Sequence, residues 1–267
     1  MFALFVLPLH SHSFFLFMSN TFIVLFAAVL PAFLLVLYIW WKDKYQREPF
    51  SQIFRGFAFG CISALLAVIA ETVLQLTGLF PAEPASWGQA LLKAFALAAI
   101  PEESLKLLML WLLLRHNPWF DERFDGIVYA VCVGMGFAAS ENIIYLFSAS
   151  DWQSVAVARA MFAVPAHFLF AVTMGYFYSM LFFGDMKWYK AGLVFLVPVF
   201  LHGVYDGLLF VSSVDSVAPL VRVAVLLLFY VFCFRMLRYG RARIREHLKR
   251  DREDIRQAAF WTYTGKN

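Results

Sequence analysis

The chain has 267 residues, of which 62% are hydrophobic and only 15% charged, and its mean hydropathy is +0.72. A soluble domain carries about 25% charged residues, so the composition excludes a water-soluble globular fold, and the net charge of +4 lies mostly in the C-terminal tail, where it reads as a membrane-orientation signal rather than a nucleic-acid surface. Cys61, Cys132 and Cys233 are odd in number, lie in apolar stretches and lack metal-ligand spacing, which excludes a disulfide framework and a zinc finger.

The first seventeen residues are apolar but short, broken by Pro8, His10, Ser11 and His12, and have no basic n-region, so they resemble neither a span nor a secretory signal. Met18-Ser19-Asn20 reads as a natural start just before the first span, within a short N-terminal segment at 1–20. Apolar runs of about 20 residues, the length a bilayer core requires, then recur about seven times. They are expected at 21–41, 53–76, 90–114, 126–147, 157–183, 191–211 and 217–237. The fold class is therefore all-α, a polytopic transmembrane helical bundle over residues 21–238, followed by a basic tail at 239–267.

Orientation follows from Lys and Arg. Lys42, Lys44 and Arg47 follow the first span, Arg115 and Arg123 the third, Lys187 and Lys190 the fifth, and the tail is dense from Arg235 to Arg256. The alternate loops, 78–88, 148–154 and 212–216, contain neither residue. The positive-inside rule puts the tail of this integral membrane protein in the cytoplasm, against anionic lipid head groups.

Four polar clusters interrupt the apolar runs: Glu102, Glu103 and Lys106 after Pro101; Phe137, Glu141 and Asn142; His167; and His202 with Asp206. A charge at the centre of a transmembrane helix costs about 2.5–3.5 kcal/mol on insertion scales, so several persist only when they face one another or a wet cavity. Counting 1.5 Å per residue from the span ends puts Glu102 and Glu103 near the midplane and the other clusters between there and the uncharged loops. Helical spacing lets both glutamates reach Lys106 and sets His202 one turn from Asp206. Glu102 and Glu103 point about 100° apart, so one belongs in a site and the other supports it. Pro101 lacks an N–H and loosens the helix before them.

Such a set can do hydrolysis. A buried Glu beside a His can take a proton from water and return it to a leaving amine, and a second His can stabilise an oxyanion. The same residues could instead hold a divalent metal that activates the water. His-Glu-x-x-His, Gly-x-Ser-x-Gly and P-loop patterns are absent.

In this order, Glu102-Glu103-x-x-Lys106, Phe137-x-x-x-Glu141, a lone His167 and His202-x-x-x-Asp206 resemble the PrsW-type membrane proteases, relatives of the type II CAAX prenyl endopeptidases and CPBP proteins. The resemblance covers roughly residues 53–211. It implies a CAAX-endopeptidase-like core and cleavage of a membrane-anchored protein near the extracytoplasmic face, an anti-sigma factor being the best-known substrate. It also implies catalytic roles for Glu102, Glu103, Glu141, His167, His202 and Asp206, with Lys106, Phe137 and Asn142 in support. A divalent metal, zinc by preference, would sit on Glu103, His167 and His202, while a metal-free Glu–His mechanism stays open, as does the oligomeric state. Glu141 stands where the CAAX branch has His.

Two other classes compete. Intramembrane acids and histidines also build proton-coupled transporters, although no internal repeat is visible. A non-catalytic membrane scaffold is the third reading. More bland accounts are a structural Glu–Lys ion pair, a core-bonded His167, and an orienting His202–Asp206 pair. Glu71 and Gln75 are expected to be structural partners of Arg159 or Arg222.

Overall fold

The computed structural model describes the backbone of residues 8–264 and the side chains of residues 20–260. The side chains before Asn20, that of Met18 at the expected start included, lie outside the described residues. Among those described there are no strands, and the chain forms seven helical passes. Helix α1 is Pro8–Lys42, spanning as Asn20–Lys42, and α2 is Phe50–Leu76. Helix α3 joins Trp87–Leu92, a π-helical stretch Lys93–Ala99 and Ile100–Leu114. Helix α4 is Arg123–Ser148. Helix α5, Trp152–Phe182, contains a second π-helical stretch, Arg159–Ala163. Helix α6 is Trp188–Ser213, and α7 is Pro219–Thr264.

Six of these helices are long and apolar enough to cross a membrane. The exception is α3, which carries Lys93, Glu102, Glu103 and Lys106, too many charges for any long window of it to be purely apolar. The pass that fails the hydropathy test is thus the one bearing the polar cluster. The sequence expectation also ended the last span at 237, whereas α7 continues as one helix through the basic stretch. Charge pairs one turn apart support that extension: Arg243–Glu246 at 2.8 Å and Arg250–Glu246 at 2.9 Å.

Helix α4 is the buried centre, with Ile127 to Ala139 almost wholly enclosed, and it packs most extensively against α5 and α2. A β-carbon on Gly60 would lie 2.0 Å from the Val133 carbonyl oxygen, and one on Gly136 would lie 2.0 Å from that of Phe57. The two backbones therefore touch, and only glycine permits that approach. Similarly, a β-carbon on Gly203 of α6 would lie 2.3 Å from the ring of Phe95 in α3, a close approach that seats the neighbouring His202 against the α3 carboxylates.

At the end carrying the basic loops, the α7 extension docks back onto the bundle. Asp251 caps α4, its carboxylate accepting the N–H groups of Arg123 at 3.1 Å and Phe124 at 2.9 Å. Arg123 bridges to Asp185 and Asp254, and His247 stacks on Tyr176. Beside this clamp lie Asp43, Glu48, Glu122 and Asp125, all buried. Burial pushes the Asp43 carboxyl up to about 6, and burial together with neighbouring carboxylates pushes Glu48 and Glu122 up to about 7.

Carboxyls raised in this way keep their protons in the folded chain at pH values where the unfolded chain has lost them. Folding is therefore favoured at low pH and loses stability as pH rises from the ordinary values of 3.8 and 4.5 towards about 7. The thermal midpoint in neutral detergent should be a few degrees higher near pH 5.5 than near pH 8, on the order of 2–4 °C. Asp43→Asn combined with Glu122→Gln should shrink that difference, and an unchanged or opposite pH trend in the double variant would refute the assignment.

Candidate active site

Pro101 and Pro165 each lack the N–H that an α-helix would place there, and each follows a π-helical stretch. The two irregular turns precede Glu102-Glu103 on α3 and His167 on α5. The site is therefore built where two helices are locally widened, and residues of both stretches, among them Leu97, Ala98, Arg159 and Phe162, border a cavity.

That cavity has a volume of about 630 Å³ and is bordered by six helices. Its polar lining includes Glu71, Glu102, Glu141, Arg159, His167, His202 and Asp206. The volume is within the range of small-molecule and peptide sites, about 300–1,000 Å³.

The contacts within α3 are those that helical spacing demands. Lys106 Nζ donates to Glu102 Oε2 at 3.0 Å and to Glu103 Oε1 at 2.8 Å. The ammonium lies 3.7 Å above the centre of the Phe137 ring, so an aromatic face from α4 completes its shell. His202 Nδ1 lies 2.9 Å from Glu103 Oε1, and its Nε2 lies 3.2 Å from Asp206 Oδ2 and 3.9 Å from Glu102 Oε2. Phe170 stacks on the His202 ring at 4.8 Å.

His167 is held differently. Its Nε2 lies 2.8 Å from Glu141 Oε2, and its Nδ1 faces Lys106 Nζ at 3.4 Å. The two imidazoles stand edge to face with centroids 5.5 Å apart. Asn142 donates to the Ala28 carbonyl at 3.0 Å and so ties α4 to α1. Each of the nine residues named from sequence is in this connected group, with Glu103, Lys106 and Asn142 behind the cavity wall rather than on it.

The expectation that Glu71 and Gln75 partner Arg159 or Arg222 is not met: Arg159 Nη2 donates to Glu141 Oε2 at 2.6 Å and its Nε to Asn142 Oδ1 at 2.5 Å. Arg222 bonds the Val214 carbonyl instead. Glu71 lines the cavity with no ion pair or hydrogen bond among the described residues. The available signal was a lone arginine eight residues before His167, which a regular helix would have turned away from it.

Glu102, Glu103 and His202 each offer one ligand atom, all within 4.8 Å of one another. Glu103 Oε2 is buried without a hydrogen-bond partner, so the set has an unused donor. Two carboxylates and an imidazole suit a divalent cation. The sequence expectation had His167 in place of Glu102, but His167 turns its Nε2 to Glu141.

A family model described as PrsW family intramembrane metalloprotease matches residues 48–236. The chain belongs to the PrsW family. Protease PrsW of Geobacillus kaustophilus (strain HTA426) is 39% identical over 184 residues, covering 68% of this chain and 78% of the relative. The Clostridioides difficile (strain 630) protein of the same name is 31% identical over 75% of this chain and 84% of its own. That of Bacillus subtilis (strain 168) is 32% identical over 70% and 83%. No solved structure matches. This PrsW-family chain is thus a multi-pass membrane protease that contacts lipid and acts on protein, and the matched region contains every one of the clustered residues.

Proposed function

We propose that the chain hydrolyses a peptide bond of a single-span, membrane-anchored protein near the face of the membrane opposite its basic loops, with Glu102 as the reacting carboxylate. The observation carrying this reading is the division of labour between the paired glutamates. Glu102 borders the cavity, whereas Glu103 is fully enclosed behind it and grips Lys106 and His202. Glu102 takes the proton from the attacking water and returns it to the leaving amine. His202, oriented by Asp206 and Glu103, and His167, oriented by Glu141, line the cavity beside Glu102 and fix the polar surroundings in which it reacts. Lys106 holds both carboxylates in place from below.

A divalent metal, for which zinc is the candidate that the family resemblance favours, would be held by Glu102, Glu103 and His202. When bound it supplies Lewis-acid polarisation and a more acidic water. The substrate class is a membrane-anchored regulatory protein, for which an anti-sigma factor is the candidate the family resemblance favours. The basic loops and basic α7 extension support a cytoplasmic C-terminus in a cytoplasmic membrane.

Reporter cysteines placed in 148–154 and in 241–256 test the topology. Labelling from outside should reach the first set alone, and mass spectrometry of a cleaved single-span substrate should put the cut on the same side as that set. External labelling of 241–256, or a cut on the basic side, would overturn the reading.

A further inference from the structure

Arg159 is the one cation in the cavity wall that touches motif residues without belonging to any of the four motifs. Its guanidinium reaches across from α5 to α4, bonding Glu141 Oε2 at 2.6 Å and Asn142 Oδ1 at 2.5 Å, and lies 4.1 Å over the Tyr145 ring. The Glu141 oxygen that it grips is the one His167 Nε2 approaches at 2.8 Å. The side chain is largely enclosed, at 13% exposure.

This convergence depends on the irregular turn. In a regular α-helix, residues eight apart are rotated about 80° from one another, so Arg159 and His167 would face different neighbours. The π-helical stretch Arg159–Ala163, in which the Val164 N–H bonds the Arg159 carbonyl, absorbs one additional residue. The remaining offset is about 20°, and both side chains meet the same face of α4.

We propose that Arg159 is a positioning residue for proteolysis, acting through Glu141 to fix the tautomer and aim of His167. A carboxylate held by a permanent cation is acceptor only, so His167 donates through Nε2–H, and its Nδ1 lone pair is left to accept from Lys106 at 3.4 Å. The same fork anchors Asn142, whose amide also holds α1 through Ala28. Arg159 thereby couples the frame of the bundle to the ring orientation. The proposal rests on the reading of Glu141 and His167 as parts of the reacting site.

The test is a double-mutant cycle in proteoliposomes, using a fluorogenic single-span reporter peptide that the wild-type chain cuts. Arg159→Gln should lower kcat about 10–100-fold with KM within about threefold, as expected for an interaction that matters in the transition state. Arg159→Lys, which keeps the charge and loses the fork, should recover part of that loss. In a Glu141→Gln background, Arg159→Gln should cost nothing further, because the path runs through Glu141. A residue that merely pins α5 to α4 would give additive losses, and so would a poorly folded variant. If Arg159→Gln fails to fold, Arg159→Lys is read in the same cycle. Additive losses, or an Arg159→Gln enzyme at wild-type turnover, refute the proposal while a damaged Glu141→Gln enzyme keeps the site reading intact. Full turnover in Glu141→Gln itself sinks the site reading together with the proposal.

Discussion

Glu102→Gln is expected to reduce proteolysis by about 10²–10⁴-fold while leaving helix content and thermal midpoint close to wild type, because the change removes a proton acceptor without opening a hole. Glutamine is isosteric, and Lys106 retains Glu103 at 2.8 Å as its counter-ion. Glu103→Gln should be different in kind. Glu103 is fully buried, bonds both Lys106 and His202, and its loss leaves the enclosed ammonium with one carboxylate fewer. Breaking such a pair from one side costs about 3–5 kcal/mol in soluble proteins. Activity and stability should therefore fall together in Glu103→Gln and separate in Glu102→Gln. Turnover of a reconstituted enzyme and a thermal scan in detergent check both. A Glu102→Gln enzyme at wild-type rate contradicts the assignment of Glu102 as the reacting group.

The second large effect concerns the imidazoles. His202 belongs to the group whose ligand atoms converge, whereas His167 is turned to Glu141. His202→Ala should abolish metal content and activity together, since a site that loses one of three donors loses its ion. His167→Ala should lose activity yet keep the metal. Asp206→Asn, which removes the carboxylate behind His202 Nε2, should cost about 10–100-fold, as orienting partners of ligands usually do. Elemental analysis beside turnover measurements reads all three. Loss of metal from His167→Ala as complete as from His202→Ala would restore the ligand set expected from sequence. Full activity in a demonstrably metal-free preparation would favour water activation by Glu102 and the histidines alone.

What could be read in advance was whatever depends on the period of a single helix. Glu102 and Glu103 both reach Lys106, and His202 reaches Asp206, because three and four residues return to one face. Seven passes and their loop charges were equally legible, being properties of composition along the chain. The pairing of each His with its Glu was not. It depends on how α5 and α6 are rotated against α3 and α4, which is set by packing such as Gly203 on Phe95. Arg159 was misplaced for a sharper reason: the π-helical turn shifts its phase by one residue, and only the seating of α5 on α4 reveals that shift. The continuous α7 was also hidden, since hydropathy ends at the membrane boundary while the helix continues through charge pairs and the cap that Asp251 places on α4.

The most direct test of the central claim uses proteoliposomes containing this chain as their only protein, loaded with a single-span reporter substrate. Wild-type protein should yield one cut near the end of the span opposite the basic loops, and Glu102→Gln should yield none on the same time scale. Solute flux without cleavage, or cleavage undiminished by Glu102→Gln, would contradict the account.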